Sequence, residues 1–120
     1  MNEPKRPVNI HKAYHAHVYF DETSREFARS LCDRIRDEFE LQVGRFHERP
    51  IGPHPTGSCQ IIFGMRDFDE FIGWLQRHRG ELTVLIHGLT GDDYADHTDN
   101  AYWLGDGATL NLEIFSPNRT

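Results

Sequence analysis

The chain has almost no cysteine, no long apolar run and no excess of basic charge, and each absence removes a class of protein. Two thiols, Cys32 and Cys59, are too few for the disulfide framework that holds small secreted domains together. No apolar run approaches the length of a membrane span. The segment Met1 to Lys12 is polar, with Pro4 and Pro7, and lacks the apolar core of a secretory signal. The expectation is a cytoplasmic protein. A formal net charge of −6 argues against general binding to nucleic acid or to an anionic membrane. Internal repeats and low-complexity segments are also missing. What is there is a chain of 120 residues, 38% apolar and 27% charged. That suffices for one globular domain with one core and is too short for two.

Residues 1–12 read as a flexible arm and 13–120 as a single domain. Tyr14–Phe20 (YHAHVYF) alternates. Ala16, Val18 and Phe20 share one face of a strand, and His15, His17 and Tyr19 the other. Thr23-Ser24-Arg25-Glu26 has capping-box spacing. Phe27, Leu31, Ile35 and Phe39 then recur every fourth residue, which predicts a helix over Thr23–Phe39 with one apolar stripe. Leu41–Phe46 reads as a second strand, and His47–Gly57, with three prolines and two glycines, as a loop. Ser58–Gly64 reads as a third strand. Asp67–Arg79 reads as a second helix, with Phe68, Phe71, Ile72 and Leu75 on one face and Gly80 at its cap. Leu82–His87 is a fourth strand, Gly88–Asn100 a polar loop, and Ala101–Phe115 a C-terminal extension expected to add a short helical turn and a further strand at Leu110–Phe115.

The order β-α-β-β-α-β predicts a ferredoxin-like α+β sandwich, an antiparallel sheet with both helices on one face. The assumed strand order is 4-1-3-2, with strand 1 parallel to strand 3 and antiparallel to strands 2 and 4. An open face carrying Ile62 and Leu85 would leave apolar area bare, so a homodimer is expected.

The conspicuous surplus is histidine, eight in 120 residues, where average usage gives roughly two or three. Under the assumed topology His15, His17, His47, His54, His87 and His97 converge on one rim, while His11 and His78 lie elsewhere. Imidazoles are gathered to bind a metal. Structural zinc sites favour closely spaced cysteines, which this chain lacks. A catalytic iron or zinc with open positions fits better, with Glu48, Asp92, Asp93 and Asp96 as nearby carboxylates. His15 and His17 lie two apart on a strand and can chelate. His47 and His54 occupy a long loop stiffened by proline, and such loops are usually functional. His97 could be a ligand, a proton carrier or a surface residue. Arg45 and Arg49 flank the loop, where a guanidinium could pair with a substrate carboxylate. Trp74, Trp103 and Phe115 read as core or interface.

HAHVYF, GRFHERPIGPHPTGSCQIIF, LTVLIHGLTGDDYADHT and AYWLG resemble the DOPA 4,5-dioxygenase family, from about Tyr14 to Phe115. The GPHP segment (Gly52–Pro55) and the TGDDYADHT segment (Thr90–Thr98) carry the specific likeness. The resemblance implies iron(II)-dependent extradiol cleavage of a catechol by dioxygen, with His17, His47, His54, His87 and His97 in the matching motifs. Zinc or another divalent metal could occupy the same site. The core ligands are expected to be His17 and His87, on regular strands, and His54, held between Pro53 and Pro55, with His47 and His15 in reserve. His97, with His47, is expected to move protons. Two other classes remain open: a zinc-dependent hydrolase or isomerase, and a non-catalytic module binding a metal or small molecule.

Overall fold

A computed structural model describes residues 3–115. The elements are β1 (Ala13–Phe20), α1 (Arg25–Phe39), β2 (Gln42–His47), β3 (Gly57–Gly64), α2 (Phe68–His78), β4 (Val84–Gly88), α3 (Asp93–Asp96) and β5 (Ala101–Leu104), followed by a 3-10 turn over Leu112–Phe115. The strands form one sheet in the order β2-β3-β1-β4-β5. The ferredoxin-like order is therefore present, with β5 added beside β4. The direction assumed for strand 3 is not. β3 runs antiparallel to β1, as β4 does. The crossover through α1 returns the chain so that β2 runs with β1, and the β2–β3 connection then reverses it.

Alternation along β1 sorts the two faces as its sequence predicts. Tyr14, Ala16, Val18 and Phe20 enter one core with Leu31, Cys32 and Ile35 of α1 and with Phe68, Phe71, Trp74 and Leu75 of α2. Both helices thus cover the same face, and Phe39 lays its ring edge against Phe71 and Trp74. Phe27 departs from the stripe. It is 49% exposed and lies over Gly80, where a Cβ would come within 3.0 Å of its ring. The capping box does not form: the N-cap is Ser24 and not Thr23, and it makes no side-chain capping bond, while the Thr23 hydroxyl donates to Asp21. Asp21 gathers that turn instead, accepting from the backbone N–H groups of Thr23 and Ser24.

The C-terminal extension differs from expectation. The strand is Ala101–Leu104 and not Leu110–Phe115. The outer edge of β5 is already taken, because Trp103 donates its backbone N–H to the Lys5 carbonyl at 2.7 Å, so a later segment finds no free edge there. The same contacts lay residues 5–9 along the sheet: Arg6 donates to the carbonyls of Trp103 and Gly105, and Tyr14 donates to the Val8 carbonyl. On the open face, Leu85 is fully buried with Tyr19 and Ala101 beneath Trp103 and Leu110. The chain's own extension covers Leu85, and Ile62 is half-buried.

Candidate functional site

The register of three strands builds the centre of the site. β1 pairs His15 with His87 of β4 and His17 with Gln60 of β3. All four therefore stand on the face away from the helices. One ring nitrogen from each of His15, His17 and His87 lies within 4.8 Å of the others. His17 and His87 are buried, and the Nε2 atoms of these two are 3.1 Å apart. Two nitrogens sharing one ion at about 2.0–2.1 Å stand roughly 2.9–3.4 Å apart at octahedral or tetrahedral angles, so this pair fits a shared metal. His87 Nδ1 donates to the Gly88 carbonyl at 2.9 Å. That bond leaves Nε2 with the lone pair a metal needs and holds the ring in place.

Burial keeps these rings neutral. It pushes His87 down to about 3, against an opposing pull from the Gly88 carbonyl. It holds His17 well below the usual histidine range, with its imidazole neighbours His54, His87, His15 and His97 acting in the same direction. His15 is lowered by burial and then by His97. Neutral imidazole is the ligating form.

His54 and His97 flank this group from opposite ends. The His47–Gly57 loop does not return at the edge where β1 starts. It leaves from the end of β1, where Phe20 pairs with Gly57. This follows from the corrected direction of β3. The loop then folds inward over the open face, so the histidines converge on a face and not a rim. The His54 ring centroid comes to 4.2 Å from that of His17. His54 Nδ1 is 2.7 Å from the Tyr19 hydroxyl. Burial raises the Tyr19 pKa far above neutrality, so the phenol keeps its proton, and the His54 tautomer sets whether it donates to Nδ1 or accepts from it. Where the phenol donates, neutral His54 carries its own proton on Nε2. Burial first, then His97, His47 and His15, push His54 down to about 4.

His97 comes from the other end, where the chain leaves β4. Its ring is 4.2 Å from that of His87 and stacks on Phe115 at 4.5 Å. Its Nδ1 donates to the Asp93 carbonyl at 2.7 Å, which makes Nε2 the basic nitrogen. In that tautomer His54 presents an N–H to the face, and His97 presents a lone pair.

The carboxylates are engaged elsewhere. Asp96 is 2% exposed and accepts from Thr90 N–H, Thr90 Oγ1 and Asn100 Nδ2. Asp92 accepts from Ala95 N–H at the start of α3. Glu48 pairs with Arg25 and Arg29. His47 and Arg45 line a cavity of about 250 Å³ with His17, His54 and Gln60, whereas Arg49 lies on the outer side with Arg25 and Glu48. His11 bonds Tyr102, and His78 stacks on Trp74; both are away from the site, as expected. A larger depression, about 620 Å³, opens beside Phe27 and Glu81 and contains no histidine. Tyr19 is the functional residue that sequence reasoning left without a role. Its place on the face of His15 and His17 was the available signal.

Residues 14–114 match the Dopa 4,5-dioxygenase family. The chain belongs to that family. It is 39% identical over 117 residues to an uncharacterised 21.2 kDa protein of Botryotinia fuckeliana, covering 88% of this chain and 64% of that one. It is 32% identical over 110 residues to a DOPA 4,5-dioxygenase of Amanita muscaria, covering 84% of this chain and 48% of that one. The chain thus spans less than two thirds of either relative. A crystal structure from Nostoc punctiforme, of a protein provisionally assigned as a dioxygenase, superposes with a TM-score of 0.83 at 42% identity. The match covers 86% of this chain and 90% of that one. No helix among the described residues is long and apolar enough to cross a membrane.

Proposed function

We propose that this protein is an extradiol dioxygenase that opens the ring of a catechol at an iron(II) held by His15, His17 and His87. The observation that carries the proposal is the cluster of three imidazole nitrogens within 4.8 Å of one another on the open face, in a chain of the Dopa 4,5-dioxygenase family. Three neutral nitrogen donors with no carboxylate among them suit iron, zinc or copper, and the dioxygenase likeness favours iron. The chemistry an iron(II) supplies there when bound is to gather diol and dioxygen and to pass electrons between them. In the balanced reaction the carbon–carbon bond beside the diol breaks and each carbon gains one oxygen atom of O2. The product is an open-chain acid semialdehyde, and no external reductant is consumed.

The chain's own contribution is geometry and proton handling. His97 Nε2 accepts a proton from the diol as it binds. His54 Nε2–H, aligned by Tyr19, donates to oxygen as charge develops there. Burial of His17, His54 and His87 limits the access of water to these rings.

The test is metal analysis of anaerobically purified protein, followed by oxygen uptake on a panel of catechols. Stoichiometric iron, with one O2 consumed per ring opened, is expected. Tight zinc with no catechol-dependent uptake, even after iron reconstitution, would overturn the reading in favour of a hydrolase or isomerase. The absence of any tight metal would overturn it in favour of a binding module.

A further inference from the structure

The cavity beside the histidines has a built-in charge preference that begins in the strand pairing. β2 and β3 are in register at Val43–Ile61 and again at Phe46–Cys59, so Gly44 and Arg45 together oppose the single residue Gln60. This is a β-bulge, a device that re-aims a side chain. Val43 and Phe46 keep packing toward the helices. The extra residue turns Arg45 to the opposite face, where it lines the 250 Å³ cavity with His17, His47, His54 and Gln60. That volume lies just below the roughly 300–1,000 Å³ of drug-sized ligand sites and suits one substituted ring. The Arg45 side chain has no ion pair or hydrogen bond among the described residues. The other cavity walls are Ile51, Gly52, Pro53, Ser58 and Gly44, and no acidic side chain is among them.

We infer that Arg45 selects a catechol with an anionic carboxylate arm and that the cavity disfavours the same molecule when it also carries an α-ammonium. The inference rests on the dioxygenase reading for the ring and on the cavity alone for the arm. A guanidinium binds a carboxylate through two parallel bonds. An ammonium placed beside it meets like charge, loses water and gains no anion in return. An aryl-alkyl carboxylate is therefore the preferred class, ahead of an amino acid.

The experiment compares dihydrocaffeate with DOPA, which differ by the ammonium group, and with catechol, which lacks the arm. In wild type, kcat/KM is expected to fall in the order dihydrocaffeate, DOPA, catechol. Arg45→Gln should lower the preference for dihydrocaffeate over catechol by roughly tenfold or more, the usual reach of a charge-assisted pair. Arg45→Lys should restore part of it, and Arg49→Gln should leave it unchanged. A second measurement needs no turnover: binding of 3-phenylpropionate and of phenylalanine, which lack the diol, to wild type and to Arg45→Gln protein of verified circular dichroism. Phenylpropionate should bind more tightly than phenylalanine and lose that advantage in the variant. If phenylalanine binds as well, or if Arg45→Gln leaves phenylpropionate unaffected, the inference is wrong. If no catechol is turned over but the binding pattern holds, the dioxygenase reading fails and the anion site stands.

Discussion

Acid should unfold the metal-free protein through its histidine cluster, and His87 allows the size of the effect to be worked out. Its folded-state pKa is about 3 against an ordinary 6.5, because burial penalises the imidazolium. As pH falls through 6.5 the unfolded chain takes up the proton and the folded chain refuses it. The stability this group contributes is complete above 6.5, declines as pH drops and stops declining only below about 3. Between pH 7 and pH 5 the loss is about 2 kcal/mol from this one ring. That window lies above the range in which most carboxylates titrate. His17, His54 and His15 are shifted in the same direction and add to the slope. Against a total of roughly 5–15 kcal/mol for a domain, the effect is large. The assay is urea unfolding of metal-stripped protein at pH 7, 6 and 5, with His87→Asn as reference. The midpoint of wild type should fall steeply with pH, and that of His87→Asn less steeply whatever its starting stability. Equal slopes would refute the claim that His87 is held neutral by burial. Saturating metal should raise the wild-type midpoint at every pH without flattening its slope, since the bound form also holds the ring unprotonated while the unfolded chain still takes up the proton.

Single alanine variants at His15, His17 and His87 should each lower metal affinity by well over tenfold, measured by competition with a chelator, with circular dichroism preserved. His54→Ala and His97→Ala should keep the metal and lose about a hundredfold or more in turnover, the usual contribution of a positioned proton carrier; loss of metal in either would make that residue a ligand. Tyr19→Phe removes the hydroxyl 2.7 Å from His54 Nδ1 and should cost about 1–3 kcal/mol in thermal or urea unfolding, with a fall in kcat at unchanged metal content. Gly57→Ala would place a Cβ 2.7 Å from Phe20 Cε2 and 2.9 Å from the His47 carbonyl. It should destabilise by about 1–3 kcal/mol and raise KM, because the loop carrying His54 starts from that clamp.

The face of each strand was legible because period two leaves little freedom. Once Ala16 and Val18 are assigned to the core, His15 and His17 must face away from it. Strand order was legible from the β-α-β-β-α-β pattern, but direction was not carried through, and that error placed the His47–Gly57 loop at the wrong end of β1. His54 still reached the site because the loop folds across the face, a long-range path that local propensity does not encode. The choice among ligands depended on distances of a few ångströms. In the proposed set His15 stands with His17 and His87 because β1 pairs it directly with His87, whereas His54, expected as a ligand, bonds Tyr19. The strand at Ala101–Leu104 was missed because three of its four residues are buried, which erases the alternation that marks a strand with one solvated face.

The two faces of the sheet divide stability from chemistry, and the division explains how a 120-residue chain accommodates so many buried polar rings. The helix face holds the large apolar core and contains no ring of the histidine cluster. The open face has only a small apolar group, Tyr19, Leu85 and Ala101 with Trp103 and Leu110, and beside it the imidazoles. Burying neutral imidazoles is tolerable when each polar atom is paired. Here no buried side-chain nitrogen or oxygen among the described residues lacks a partner. Tyr19 belongs to both systems, since its ring packs with Leu85 and its hydroxyl orients His54. A substitution there should therefore disturb stability and turnover together. Substitutions at Leu31 or Phe71, on the opposite face, should lower stability while leaving metal affinity per folded molecule unchanged.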